Sequence, residues 1–301
     1  NGAKFIANTL DSVLAQTYKD YEVILVNDGS PDNVGEVVRE YMSAHPETYF
    51  IYVEQENRGL GGARNTAIKH ASGDIIAILD QDDVWYPEKL ERVADVYRQF
   101  PEVDIICHSQ IVRRDGKVVR IFDPGPDSNI HRRLLFVDNM LSTSATTFRK
   151  TIIDEIGGFS EDRENFHFAE DYDLWLRMAD KGYKFHFTDD ILGEYNEHDS
   201  NFSHNLEVML DSEINVLMTH YKSFKSKNLR DLYLMRRNLA VVYFRISRKY
   251  FRAGRVLHGV GYLTRAFLQD PFFIATYTPH YLEKLRRKRY PEISFEEEFR
   301  S

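Results

Sequence analysis

The hydrophobic period switches repeatedly within the first hundred residues, and this alternation constrains the fold more than any other feature. Ile6, Leu10, Val13 and Leu14 recur at helical spacing. Glu22 to Asn27 is a short apolar run that stops at the turn residues Asp28-Gly29-Ser30-Pro31, which predicts a buried strand. Val34, Val37, Val38, Tyr41 and Met42 mark a second helix face. Tyr49 to Glu54 predicts a strand, Gly62 to Ala71 a helix and Asp74 to Leu79 a strand. Pro87 then opens a helix to about Phe100, in the first-turn position that proline favours. Strands separated by helices pair through crossovers, so the expectation is an α/β, Rossmann-like, mainly parallel sheet with flanking helices. Such sheets bind ligands beyond the carboxyl ends of their strands. The turns Asn27 to Ser30 and Asp80 to Asp83 are therefore expected on one rim.

After Pro101 the pattern changes. Val103 to Val112 and Lys117 to Phe122 predict strands joined by a hairpin at Arg114-Asp115-Gly116. Asp123 to Asn129 predicts a loop, and Tyr172 to Lys181 a helix. From about Leu206 the chain reads as helical and rich in Tyr, Phe and Arg. Hydrophobic residues make up 43 %, enough for a packed core. The single cysteine, Cys107, excludes an internal disulfide and points to a reducing compartment. Its apolar setting predicts a small core residue. No stretch approaches the roughly 20 apolar residues of a membrane span. Asn1-Gly2 reads as a turn, so a piece ahead of it is expected to be absent.

Charge is distributed unevenly. From Lys222 onward there are 18 Lys/Arg and 7 Asp/Glu, whereas the rest of the chain holds 21 and 40. An acidic body that binds a phosphorylated ligand needs help from cations.

Five segments carry chemistry. Asp80-Gln81-Asp82-Asp83 packs three carboxylates into four residues, a hard-oxygen set suited to Mg²⁺ or Mn²⁺. A solvated helix-capping turn is the plain alternative. Asn27-Asp28-Gly29-Ser30 offers a carboxylate at a strand end, with an ordinary turn as the alternative. Glu56 to Asn65 holds three glycines before a helix, so that an anion can approach the backbone, with Arg64 nearby to add charge. Glu170 and Asp171 begin the helix whose apolar face is Leu174, Trp175 and Met178. They serve either as N-terminal dipole partners or as a general base. His198 gains interest only beside a metal.

The order of these pieces resembles the family 2 glycosyltransferases of the GT-A (nucleotide-diphospho-sugar transferase) fold, of the bacterial cell-surface polysaccharide type. The ordered set is the strand with Asn-Asp-Gly-Ser, the glycine loop with Arg64-Asn65, Asp80-x-Asp82-Asp83-x-Trp85, Gly157-Gly158-Phe159, Glu170-Asp171-Tyr172-Asp173-Leu174-Trp175, and His198. The resemblance implies a GT-A domain over residues 1–204 and a basic helical extension over 205–301. It implies that the family's first strand precedes Asn1. It also implies donor contacts from Asp28, Gly29, Arg64 and Asp80, with Asp28 at the base and Asp80 near the ribose. Asp82, Asp83 and His198 would serve the cation, Mn²⁺ or Mg²⁺. Asp171 would be the catalytic base, with Glu170 beside it. The implied reaction is inverting transfer from a nucleotide-sugar, a UDP-sugar by expectation, to a saccharide or lipid-linked saccharide.

Two alternatives stay open on the residues. Asp80-x-Asp82-x-Val84 also fits a haloacid-dehalogenase-type phosphatase with Asp80 as nucleophile. A glycosyltransferase-like module that only binds is the other. The tail interleaves Tyr243, Phe244, Ile246, Tyr250 and Phe251 with Arg245, Arg248, Lys249, Arg252 and Arg255, and adds Lys284 to Arg289. It reads either as a solvated subdomain or as a peripheral contact with the anionic inner face of the plasma membrane. A cytoplasmic protein with no nucleic-acid partner is expected.

Overall fold

The computed structural model describes residues 2–198, 206–225 and 228–274. Its contacts divide the chain into two compact units, Asn1–Lys227 and Asn228–Ser301. The expected boundary at 204/205 and the basic cluster Lys284 to Arg289 lie outside the described residues.

The first unit opens with α1 (Ile6–Leu14), β1 (Val23–Asp28), α2 (Val34–Ala44), β2 (Phe50–Gln55), α3 (Gly59–His70) and β3 (Ile75–Ala77). Next come β4 (Val84–Trp85), α4 (Lys89–Gln99), β5 (Ile105–Arg114), β6 (Lys117–Phe122) and α5 (Ile130–Phe136). A 3-10 turn at Thr143–Ala145 precedes β7 (Thr146–Arg149), α6 (Thr151–Ile156), α7 (Glu170–Lys181), β8 (Phe185–Glu197) and α8 (Leu206–Ser223).

Strands β1 and β2 pair in parallel from Val23↔Phe50 to Asp28↔Gln55, as the crossover through α2 requires. The larger sheet has the order β3-β7-β5-β8-β4, with β6 also on β5. Here β5–β8 is parallel and the other pairings are antiparallel, so this sheet is mixed. The reason is local. Asp115 and Gly116 both take positive φ, 52° and 73°, the tight-turn geometry that folds β6 straight back on β5. Strand β5 is buried from Ile105 to Val112 and forms the centre of the sheet.

One core cluster joins Ile6, Leu10 and Val13 of α1 to Val23, Val34, Val38 and Trp85. Apart from Trp85, these are residues whose pattern predicted α1, β1 and α2. Trp175 of α7 meets Phe148 and Phe159 edge-on, at 6.1 Å each. Cys107 is fully buried, and burial pushes its thiol up to about 11, so it acts as a core residue.

The second unit contains α9 (Leu229–Arg252) and α10 (Val256–Gln269). Asn228 caps α9 by accepting from the Asp231 amide at 2.9 Å. The two helices pack through Ala240, Ala266 and Phe273, with Ser247 Oγ donating to the Gly259 carbonyl at 2.8 Å. Among the described residues no helix is long and apolar enough to cross a membrane.

Candidate active site

The acidic loop between β3 and β4 is tied down from three sides. The Asp83 amide donates to the Asp80 carbonyl at 3.1 Å, closing a turn. From α1, the Thr9 hydroxyl donates to the carbonyls of Gln81 and Asp83, at 2.8 and 2.9 Å. From the 3-10 turn, Ser144 Oγ accepts from the Asp80 amide at 3.1 Å and donates to Asp83 Oδ2 at 2.6 Å. From β8, the Asn196 amide donates to Asp83 Oδ1 at 3.0 Å, and Asn196 Nδ2 donates to the Asp82 carbonyl at 2.8 Å.

The three carboxylates therefore have different tasks. Asp83, expected among the cation ligands, is 1 % exposed and has both oxygens bonded to protein groups. It braces the loop, and burial together with Asp80 raises its carboxyl well above the usual range. Asp82 meets His198, with Oδ2 3.0 Å from Nε2, and that imidazole stacks on Phe5 at 4.4 Å. Burial and the charge of Asp80 raise the Asp82 carboxyl as well. Asp80 turns to Arg64.

Arg64 joins the loop to α7. Its Nη2 lies 2.9 Å from Asp80 Oδ1 and its Nη1 2.6 Å from Glu170 Oε1, and the guanidinium sits over the Phe159 ring at 5.4 Å. It is placed by close packing of α3 on the segment after α6. A Cβ on Gly61 would lie 2.1 Å from the Ser160 carbonyl oxygen, so only glycine permits this approach. Asn65 exchanges bonds with Phe159, donating to its carbonyl at 2.9 Å and accepting from its amide at 2.8 Å. Arg177 donates to the carbonyls of Ile156, Gly157 and Gly158 and so holds the other side of that segment.

Glu170 and Asp171 begin α7, where the helix dipole favours negative charge. Glu170 is nearly enclosed, and burial pushes its carboxyl up to about 7 despite Arg64. Asp171 is half-buried and shifts up for the same reason. Its Oδ1 accepts from the Tyr172 amide at 2.6 Å and its Oδ2 from the Thr143 hydroxyl at 3.1 Å. Phe168, two residues before Glu170, has φ 64°. A bulky side chain pays a steric cost in that left-handed region.

Asp28 ends β1 and caps α3. Its Oδ1 accepts from Gln55 Nε2 at 2.6 Å and from the Arg58 amide at 2.8 Å, and its Oδ2 from the Gly59 amide at 2.8 Å. Gly29, at φ 67°, turns the chain beside it. Asp28 is thus tied to the glycine loop, and α3 runs from that point to Arg64.

The structure brings Arg64, Asp80, Glu170 and Asp171 into one cluster and pairs Asp82 with His198. Sequence reasoning missed Thr143, Ser144, Asn196 and Thr9. The run Ser142-Thr-Ser-Ala-Thr-Thr147, five hydroxyls ahead of a strand, was the available signal for the first two. A separate cleft of about 570 Å³, lined by residues such as Phe100, His131 and Tyr183, includes none of the cluster.

Among the described residues no group of three or more ligating side chains converges. Asp82 and His198 nevertheless supply one oxygen and one nitrogen side by side, and burial and the charge of Asp80 raise the Asp82 carboxyl, a strain that a cation there would relieve. The cluster also holds more carboxylates than bases, so a diphosphate would be repelled without a cation. The residues fit a divalent ion that keeps other positions for ligand and water.

The family model described as glycosyl transferase family 2 matches residues 1–157. A Rickettsia conorii protein named an uncharacterized glycosyltransferase is 31 % identical over 198 residues, which is 64 % of this chain and 32 % of that protein. The chain spans from about a third to about half of the curated relatives it matches first. A mannosyltransferase from Pyrobaculum calidifontis, solved in complex with GDP-Man and Mn²⁺, has a TM-score of 0.61 at 20 % identity, over 95 % of this chain and 78 % of that one. S. aureus TarS 1-349 in complex with UDP-GlcNAc has a TM-score of 0.58 at 16 % identity, over 87 % and 88 %. These likenesses show the GT-A fold.

Proposed function

The chain belongs to glycosyl transferase family 2, and from that premise we propose that it moves a sugar from a nucleoside-diphosphate donor, a UDP-sugar, to an acceptor hydroxyl with inversion. The observation that carries the reading is the Arg64 bridge. It holds the acidic loop and the start of α7 at one site, so a diphosphate at the loop has a proton acceptor facing its sugar.

Asp171 takes the proton of the acceptor hydroxyl. Its raised carboxyl is a stronger base than a free aspartate. The Thr143 hydroxyl and Tyr172 amide fix its two oxygens. As the proton leaves, the acceptor oxygen bonds to the anomeric carbon and the nucleoside diphosphate departs from the opposite face. Glu170 orients Arg64, and Arg64 keeps Asp80 in place for the donor ribose. Asp28 and Gly29 form the base end of the donor pocket. A divalent cation, Mn²⁺ or Mg²⁺, when held by Asp82 and His198, supplies positive charge against the diphosphate. Asp83 braces that site. The acceptor is a saccharide or lipid-linked saccharide met at the cytoplasmic face of the plasma membrane, in polysaccharide or glycolipid synthesis.

Family membership removes the basis for the dehalogenase-type alternative. The binding-only alternative predicts no turnover from the natural protein. The test is transfer and donor hydrolysis with Mn²⁺, comparing the natural protein with Asp171→Asn. The variant should lose at least about a hundredfold in turnover while calorimetry shows donor binding unchanged. Equal turnover in both proteins refutes the base assignment, and none in either supports a module that only binds.

A further inference from the structure

The second unit turns an apolar surface to solvent. Leu257 is 86 % exposed and Leu268 68 %, with Val256, Val260 and Phe267 exposed along the same helix. At 3.6 residues per turn, Leu257, Val260, Thr264 and Leu268 fall within an arc of roughly 80°. Gly259 and Ala266, buried against α9, point the opposite way. The usual pattern of an amphipathic helix is thus inverted, because the small residues make the packed seam and the large apolar ones face outward. Phe272, 76 % exposed, extends the surface beyond the helix.

Among the described residues of this unit, the exposed charge has one sign. Residues 228–274 contain nine Lys/Arg and two Asp. Both acids, Asp231 and Asp270, are buried. Arg252 and Arg255 are exposed at the turn that leads into α10, and Arg265 is exposed on the helix itself, roughly 60° round from the edge of the apolar arc. An apolar helical face with exposed cations at its N-terminal turn and along its side complements a surface that offers acyl chains beneath negative headgroups.

We propose that the exposed face of α10, with Arg252 and Arg255 at the turn before it and Arg265 along its side, docks on an anionic lipid bilayer and lies in its interface without crossing it. A bilayer satisfies the apolar arc and the cations together. An acidic protein helix would need its own apolar stripe matched to the same arc. The docking stands on this surface alone. The lipid-linked acceptor of the proposed function gives it a use, since docking would keep the enzyme where such acceptors lie.

The experiment is flotation of the full chain with vesicles of phosphatidylcholine, with and without phosphatidylglycerol. The natural protein should float with the anionic vesicles, less with the neutral ones, and less at high salt. Leu257→Glu with Leu268→Glu should lower binding by at least about tenfold. Both positions are exposed, so circular dichroism, melting temperature and donor hydrolysis should stay unchanged. Intact hydrolysis with lost flotation separates failure of docking from failure of the catalytic reading. Unaltered flotation of the double variant overturns the proposal. So does a natural protein that ignores vesicles. If that protein is a dimer which the variant dissociates, the face serves a second copy. If the variant melts earlier, the face is packed within the chain.

Discussion

Replacing Arg64 by Met should destabilise the first unit in a way that depends on pH. The Arg64 side chain is 12 % exposed, Glu170 6 % and Asp80 37 %. Charges about 4 Å apart attract by about 4 kcal/mol at an effective dielectric near 20. For Asp80, solvent screens most of that. For Glu170, removal of the partner leaves a buried carboxylate, at a cost of about 3–5 kcal/mol when it is ionised. Glu170 has an escape, because it can bind a proton. Its folded carboxyl titrates at about 7, against 4.5 ordinarily. The folded state therefore holds more protons between those values, and stability from this group is full below 4.5 and falls as pH rises through 7. Without Arg64 the folded value moves higher, and the decline extends to higher pH. The loss in Arg64→Met should thus be about 3 kcal/mol near pH 8.5 and about 1 kcal/mol near pH 5.5, where Glu170 is protonated in both proteins. Urea unfolding in the presence of a chelator measures it. Trp85 and Trp175, both buried in the first unit, provide the fluorescence. Adding Glu170→Gln to Arg64→Met should recover much of the loss at high pH. A loss equal at both pH values, or larger at the lower one, would refute the argument.

Other outcomes follow from the same geometry. Thr143→Val removes a donor to Asp171 Oδ2 that favours the ionised form, so the acid limb of the kcat profile should move up by about one pH unit or less. Donor KM should stay constant, and an unmoved limb would show that this hydroxyl does not tune the base. Asp82→Ala should abolish Mn²⁺-dependent donor binding in calorimetry, and His198→Ala should weaken it by about tenfold. Retained metal dependence in Asp82→Ala would move the cation elsewhere. Lys89 is fully buried, its amine lowered to about 7 by burial, with Nζ 3.7 Å from the centre of the Trp85 ring. The unfolded chain keeps that proton to higher pH, so stability should rise from about pH 7 toward 10.5. Burial costs about 4 kcal/mol at pH 7 and the ring returns about 2, so Lys89→Met should gain roughly 2 kcal/mol and flatten that rise. A destabilised Lys89→Met would mean that the ammonium is better satisfied than this reckoning holds.

The elements were legible where one face of each is buried. Ile6, Leu10 and Val13 predicted α1, and all three are in the core. The Asp115-Gly116 hairpin was legible because positive φ at consecutive residues demands such residue types. The mixed larger sheet was less so, since apolar runs do not state the direction of their partners. Strand β3 also ends at Ala77, two residues before the apolar run does. The acidic loop was visible as a cluster of charge, but the division of work within it was not. That division depends on Ser144, Asn196 and Thr9, which come from distant parts of the chain and carry no pattern of their own.

The sequence by itself determined the alternating α/β core, the acidic loop after its strand, the charged start of α7 and the basic helical tail. Each is a local matter of period, turn chemistry or charge. Only the tertiary structure decided that Arg64 ties Asp80 to Glu170, that Asp83 faces inward while Asp82 meets His198, and that α10 turns its apolar side to solvent. A side chain's partner is set by which elements pack together, and residues far apart in the chain leave no mark of that in its order.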